Sequence, residues 1–589
     1  MNEDPYFYHP LENIEDIDTF EEAVDRIKLT RMLSPERPYT YWSLEYYDAE
    51  NGIRGGGGLG ILAADTRRVA DEMHVPMVLI TPFYPMEAHQ KLVDGELVDE
   101  LAPVDYHDFG FKLIDSVNIK CNDTLCKLDV VSKKFGSTRL ICITEPNFRE
   151  LYAGLSSSDH RLYQEVSLGF GGYQALKLMG FKPSVIHLNE VATFFAALAR
   201  LDELTSNGMD FYEAVVYTRK HTLYTNHTLV QAAEAEYELA QFERYVFPNL
   251  KSRAVRRWLQ DKFENGRIKL SSITIEIAEL RSGVSKLHVR VADYHDVAGN
   301  KVKFRPITNG IDLKRWVMPE ILHWYHEQEV VDAVGLPMVN YAENLDFLTA
   351  ADIREFKRQG REILNTELAM RPGQNGEILS FRPDDFIFVF KRRFVDYKRP
   401  ELVFSDPARL RAVLEAKDAH FILTGRLHTG DTAMSGKLKR ILDVVQRDEY
   451  LKTHVHYLAD YDEKLAFGLS VGCNAAVNTP VVGLEACGTS WMKDVANLDI
   501  LISTNDGGVA DVGADYHLDI NAVEFVDEVD AAYKQMARAM EIYENDFDLE
   551  YTIIKQLIGY LPIISGARMV NEYLDFLFPV PVNVGDLEG

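Results

Sequence analysis

The feature that most limits what this chain can become is a recurring one. Short, continuous apolar runs of strand length close on polar or glycine residues, and amphipathic, helix-like stretches separate them. In the first half the runs are TYWSLEY, VPMVLIT, RLICITE, VIHLNE and LYTNHT; in the second half they are FIFVFKR, HFILTG, HVHYLAD, AAVNTP and DILIST. Strands that are apolar throughout are buried on both faces, which suits parallel sheets wrapped by helices and not an antiparallel sandwich. With 589 residues the chain is too long for one core. The expected fold is therefore α/β, as two doubly wound Rossmann-like domains facing a central cleft. Ligands in such sheets gather beyond the carboxyl ends of the strands, where the suspicious polar residues of this sequence fall.

The domain switch is expected near RPITNGIDLKRW, where a strand-like run meets a turn at Asn309 and Gly310. This gives a first domain at 1–312 and a second at 313–589. AADIREFKRQGREILNTELAM reads as helix and RPGQNGE as its break. The segment from about Asp527 to Phe578 also reads as helical and is expected to pack back on the first domain.

Composition excludes several partners. Lys and Arg number 63 against 91 Asp and Glu, a net charge of -28, so most of the exterior repels nucleic acid and anionic membrane. An anionic ligand must then find a local basic pocket. The start, MNEDPYFYHPLENIEDIDTFEEA, is acidic and broken by Pro5 and Pro10, unlike a secretory signal, and no stretch reads as a membrane span. Five cysteines, at 121, 126, 142, 473 and 487, are too few and odd in number for a disulfide framework, and a cytoplasmic location is expected. Cys121 and Cys126 lack a second ligand pair at zinc spacing, so no metal is expected.

Four constellations carry chemistry. In RGGGGLGILAADTRRVADEM, Gly55 to Gly58 and Gly60 precede an amphipathic helix, where bare backbone amides can approach an anion or simply form a turn. The run is not a strict GxGxxG, which weakens a dinucleotide reading. KRRFVDYKRP places Lys391, Arg392, Arg393, Lys398 and Arg399 after an apolar strand. A guanidinium and an ammonium converging there can hold a phosphate dianion. GLEACGTSWMK ends at Lys493, an amine that small and hydroxyl residues could present to a carbonyl cofactor. His227, Asn309 and Glu485 stand at strand ends and suit sugar hydroxyls, although such residues are often satisfied core hydrogen-bonders.

Taken in order, these segments resemble the α-glucan (glycogen, starch and maltodextrin) phosphorylases, particularly the shorter prokaryotic branch, over most of the chain. YWSLEYYDAENGIRGGGGLGILAAD is similar to the family's glycine-loop region, VIHLNE and YTNHT to its polar strand ends, and ITNGIDLKRW to its domain crossover. KRRFVDYKRP, LADYDEKLAFGLSVGCNAAVNTP and LEACGTSWMK follow in the family's order. The resemblance implies a GT-B type glycosyltransferase architecture and phosphorolysis of an α-1,4-glucan or maltooligosaccharide by inorganic phosphate to glucose 1-phosphate, with retained configuration. It implies pyridoxal 5'-phosphate on Lys493 as a Schiff base, seated by Arg392, Tyr461, Thr489 and Ser490. Arg393 and Lys398 would grip phosphate, with loop contacts from Gly57 and Gly58. His227, Asn309, Glu485, Cys487 and Gly488 would line the glucosyl pocket. A homodimer is an assembly common in such families.

Two departures stand out. Trp491 occupies a place where the family motif carries a small or amide residue, which implies a reshaped cofactor pocket. After NDGGVADVG the tryptophan-rich segment of the prokaryotic branch is missing. Two alternatives remain open on sequence: a nucleotide-sugar-dependent glycosyltransferase of the same fold, which would leave Lys493 without a cofactor, and a degenerate phosphorylase that binds glucan without turnover. A hydrolase would need two acids flanking the bond, and the sequence nominates no such pair.

Overall fold

The computed structural model describes residues 33–577 apart from 52–56, 94, 152–156, 230–234 and 429. The acidic start and the glycines Gly55 and Gly56 lie outside the described residues.

Two sheets organise the chain. The first has nine strands, in spatial order Arg305–Pro306, Leu280–Gly283, Thr222–Asn226, Val185–Asn189, Tyr39–Trp42, Met77–Pro82, Thr138–Thr144, Thr124–Lys134 and Lys112–Cys121. Pairing is parallel except for the last three strands, which form an antiparallel edge. Tyr39–Trp42 sits at the centre, with Tyr39 opposite Met77 on one side and Val185 on the other. The second sheet is wholly parallel, in the order Val455–Leu458, His420–Thr424, Ile387–Lys391, Ala475–Asn478, Ile500–Ser503 and Leu518–Asp519. All ten apolar runs that announce strands in the sequence contribute one.

Strand side chains alternate between faces, and here both faces are covered. Trp42, Val78 and Ile80 enter one core of the first sheet, whereas Tyr39, Tyr41, Met77 and Leu79 enter the other. That second core includes Ala567, Met569, Val570 and Tyr573 of the last described helix, Gly566–Leu577. The chain thus ends, so far as it is described, packed on the sheet with which it began. The second sheet is wrapped by Ala350–Leu368, Glu463–Gly472, Phe525–Glu544 and Asp546–Ile564 in one continuous core. Each large apolar side chain buried this way contributes about 1.5–3 kcal/mol.

Backbone ties join the two halves beside the crossover. Ile311 pairs with Ser565, its amide donating to the Ile564 carbonyl at 2.8 Å, and the Gly566 amide donates to Ile311 O at 2.8 Å. A hairpin, Met86–Val93 with Glu96–Pro103, leaves the first sheet and reaches the second. There Gln90 exchanges hydrogen bonds with the backbone of Leu427, 2.6 and 3.1 Å, and His89 meets Asp460 at 2.9 Å. Among the described residues no helix is long and apolar enough to cross a membrane.

Candidate active site

The carboxyl ends of both sheets face one cleft, about 1100 Å³ of empty space with its open mouth included. Its wall brings together every residue that the family resemblance implies for the site: Gly57, Gly58, His227, Asn309, Arg392, Arg393, Lys398, Tyr461, Glu485, Cys487, Gly488, Thr489, Ser490 and Lys493. These positions span more than 400 residues of sequence, so only the fold unites them.

Lys493 lies on the short helix Ser490–Ala496, with Thr489 as its N-cap residue, and is 4% exposed. Its Nζ stands 3.3 Å from the centre of the Trp316 ring, a cation–π distance, and makes no ion pair among the described residues. Trp316 is itself fixed by its indole N–H, which donates to both oxygens of Asp65 at 3.0 and 3.1 Å. Asp65 in turn holds Arg315 at 2.6 Å. Burial brings the Lys493 amine down to about 7, outweighing the attraction of Asp65, so near neutral pH much of it is uncharged. A neutral amine is the form that attacks a carbonyl.

The basic loop after Ile387–Lys391 divides its cations among different tasks. Lys391 turns under the cleft floor, 2.5 Å from Asp494 and 2.6 Å from Ser470 Oγ. Arg392 donates to Glu485 at 2.7 Å, and Lys398 reaches the other oxygen of the same carboxylate at 3.3 Å. Burial alone would raise Glu485, but Arg392 and Lys398 outweigh it and hold the carboxyl at about 2. Asp462 and Glu463 also line the cleft, engaged by Arg371 and Arg315, so among the described residues Glu485 alone serves Arg392 and Lys398. Burial, with Arg392 and Arg393 close by, pulls Lys398 down to about 7 despite Glu485. Two cations thus share one carboxylate on this wall. Arg399, grouped with this cluster on sequence, does not line the cleft.

Glycines let these charges lie against backbone. A Cβ on Gly488 would stand 2.5 Å from Arg392 Nη2 and 2.7 Å from Glu485 Oε1, and one on Gly57 would stand 2.0 Å from Glu45 Oε2. Neither position accommodates a larger residue without displacing the Arg392–Glu485 pair or Glu45. Asp506, from the altered NDGG segment, accepts from the amides of Gly483, Glu485 and Gly507 at 2.8–3.0 Å and so shapes the loop that carries Glu485.

The remaining wall is neutral and polar. The His227 amide donates to Glu190 at 2.7 Å, while its Nε2 is buried without a partner among the described residues. Burial, followed by His288, lowers its ring to about 3, so it is a neutral donor and acceptor. Asn309 Nδ2 donates to Cys487 O at 3.1 Å, and its Oδ1 has no partner among the described residues. Burial raises the Cys487 thiol and the Tyr461 phenol, so both stay protonated. Buried polar atoms are normally satisfied; among the described residues several are not, and four of these, Arg392 Nε and Nη1, His227 Nε2 and Asn309 Oδ1, belong to cleft-lining residues. Together with the buried Lys493 amine they fit an anionic aldehyde cofactor and a polyhydroxylated substrate. Among the described residues no group of three or more His, Cys, Asp or Glu side chains is placed to hold a metal.

Trp491 does not line the cleft, contrary to the expectation that it reshapes the cofactor pocket. The helical turn sends its ring outward into the core, 2% exposed and edge-on to Tyr560 at 5.0 Å. Trp316, Asp65 and Arg315 were missed as site residues, although Trp316 closes the ITNGIDLKRW segment, where a lone tryptophan after two cations was the available signal.

Residues 181–563 match the carbohydrate phosphorylase family. The chain is 24% identical to a maltodextrin phosphorylase of Thermococcus litoralis, over 92% of this chain and 70% of the relative. It is 26% identical to a glycogen phosphorylase of Mycobacterium bovis, over 91% and 70%. An uncharacterized protein of Methanocaldococcus jannaschii is 26% identical over 92% of this chain and the whole of the relative.

Proposed function

The chain belongs to the carbohydrate phosphorylase family, whose members are glycosyltransferases, and on that premise we propose that it is an α-1,4-glucan phosphorylase. It would use inorganic phosphate to release α-D-glucose 1-phosphate from a glucan or maltooligosaccharide, with pyridoxal 5'-phosphate held on Lys493. The observation that carries this reading is that the buried Lys493 amine, against the Trp316 ring and without an ion pair among the described residues, opens on the same cleft as Arg392 and Lys398, which share the Glu485 carboxylate.

The residues divide the work as follows. Lys493 offers its amine under the Trp316 ring, and Arg392, Tyr461, Thr489 and Ser490 border the same space. When bound, the cofactor supplies a phosphate group beside which inorganic phosphate can share a proton. Lys398 Nζ takes up a proton as a phosphate dianion approaches, because the new negative charge reverses the crowding by Arg392 and Arg393. Arg393 adds a planar fork to the same anion, and Gly57 and Gly58 keep the opposite wall low. His227, Asn309, Glu485 and the Cys487–Gly488 backbone face the glucosyl hydroxyls; neutral His227 can donate or accept there without competing for phosphate. Phosphate gives its proton to the glycosidic oxygen and an oxygen of the same phosphate then bonds to the anomeric carbon from the face the glucan leaves, so configuration is retained. The chain spans about 70% of the length of these curated relatives.

The test is glucose 1-phosphate formation from maltoheptaose and from glycogen, with and without inorganic phosphate. Phosphate-dependent product from either glucan supports the reading. Glucan binding without product, or transfer only from a nucleotide sugar, overturns it.

A further inference from the structure

Arg399 closes the loop that carries Arg393 and Lys398, yet its side chain runs into the second domain, 8% exposed. Its backbone is left-handed, φ 48° and ψ 57°, a conformation that residues with side chains seldom adopt. The guanidinium is saturated in a single direction. Nε donates to Thr479 O at 2.9 Å, Nη2 to Pro480 O at 3.0 Å, and both terminal nitrogens to Glu528. Glu528 is 7% exposed and stands in the first turn of Phe525–Glu544. The loop is held from the other side as well: Thr479 Oγ1 donates to the carbonyls of Lys398 and Arg399 at 3.0 and 3.2 Å, and the Val481 amide to Tyr397 O at 2.7 Å.

We propose that the Arg399–Glu528 pair is a positioning device for the amine of Lys398. The pair pins a left-handed turn that points one residue into the protein and its neighbour, Lys398, at Glu485 and the cleft. The proposal rests on the reading of Lys398 as a phosphate ligand. Its physical basis is that a buried, two-point guanidinium–carboxylate pair fixes orientation as well as charge, and losing one partner leaves the other buried and uncompensated. The helix Phe525–Glu544, far along the chain, would thereby set phosphate affinity without touching phosphate.

Two variants separate side chain from backbone. Glu528→Gln keeps the shape and removes the charge; Arg399→Gly keeps the left-handed turn available and removes the guanidinium. Both are compared with wild type, as purified with cofactor, for KM of phosphate, kcat, cofactor absorbance and amide exchange at Lys398, Arg399 and Val481. The expected result is a KM for phosphate raised about tenfold with kcat nearly unchanged, as for lost binding that is uniform between ground and transition states. Cofactor absorbance stays the same and exchange at the three amides quickens. A variant that merely melts earlier, with phosphate KM and local exchange unchanged, overturns the proposal and leaves the pair a structural one. If wild type ignores phosphate, the reading of Lys398 fails, and the exchange comparison still decides whether Glu528 and Arg399 pin the turn.

Discussion

Two buried lysines in the second half of the chain, Lys357 and Lys493, are 1% and 4% exposed and have opposite surroundings. Lys357 is paired with Asp499, which is wholly buried, on the side of the sheet away from the cleft. Lys493 has no such carboxylate and lies against a tryptophan ring. Lys391, between them in kind, borders the cleft yet is neutralised by Asp494 at 2.5 Å. Among the described residues the fold therefore pairs Lys357 and Lys391 with carboxylates and leaves Lys493, the proposed cofactor anchor, without an ion pair. Burial without a counter-charge is costly for a cation, and a protein that tolerates it at one position keeps a neutral amine there. Strongly shifted groups in a cleft mark chemistry when a geometric role accompanies the shift, and Lys493 has one.

The contrast is broken most severely by deleting the reactive amine. Lys493→Ala is expected to lose bound cofactor and at least about a thousandfold in rate, as for loss of a covalent anchor, while remaining folded; absorbance and product assays on one sample check this. Lys357→Ala should do the reverse. It leaves Asp499 buried without its partner and should cost about 3–5 kcal/mol of stability, read by denaturant unfolding, with activity per folded molecule preserved. Lys398→Ala should keep the cofactor and raise the KM for phosphate about ten- to hundredfold, as for loss of one charged ligand. The smallest effect is expected at Trp491→Phe, which should lower stability by about 1–2 kcal/mol through lost packing and leave cofactor absorbance and phosphate KM untouched.

A pH measurement sharpens the same comparison. Lys493 is brought down from 10.5 to about 7 by burial, and only the uncharged amine condenses with an aldehyde. Uptake of pyridoxal phosphate by cofactor-stripped protein should therefore rise with pH through about 7 and level off above it. An amine kept charged by a carboxylate would instead show uptake still climbing well above pH 9.

Legibility in the sequence followed the range of the forces involved. The buried parallel strands were readable because a strand covered on both faces writes itself as a continuous apolar run. Lys112–Cys121 and Thr124–Lys134 were not, because the antiparallel edge exposes one face and fills it with Lys, Asp and Asn. The hairpin Met86–Val93 and Glu96–Pro103 also escaped, since its partners Leu427 and Asp460 lie more than 300 residues away. Within the site, residue types named the chemistry but not its direction. KRRFVDYKRP reads as one basic cluster, whereas the structure sends Lys391 to Asp494, Arg392 and Lys398 to Glu485, and Arg399 to Glu528. Trp491 misled for the related reason that a helix of seven residues presents Lys493 and Trp491 to different surroundings.

The most direct test of the central claim, that Lys493 is the one lysine left for covalent chemistry, is reduction of the purified protein with borohydride followed by peptide mapping. The account predicts a single pyridoxyl adduct on Lys493, with Lys357 and Lys391 unmodified. An adduct on either paired lysine, or cofactor bound with no lysine adduct at all, would contradict it.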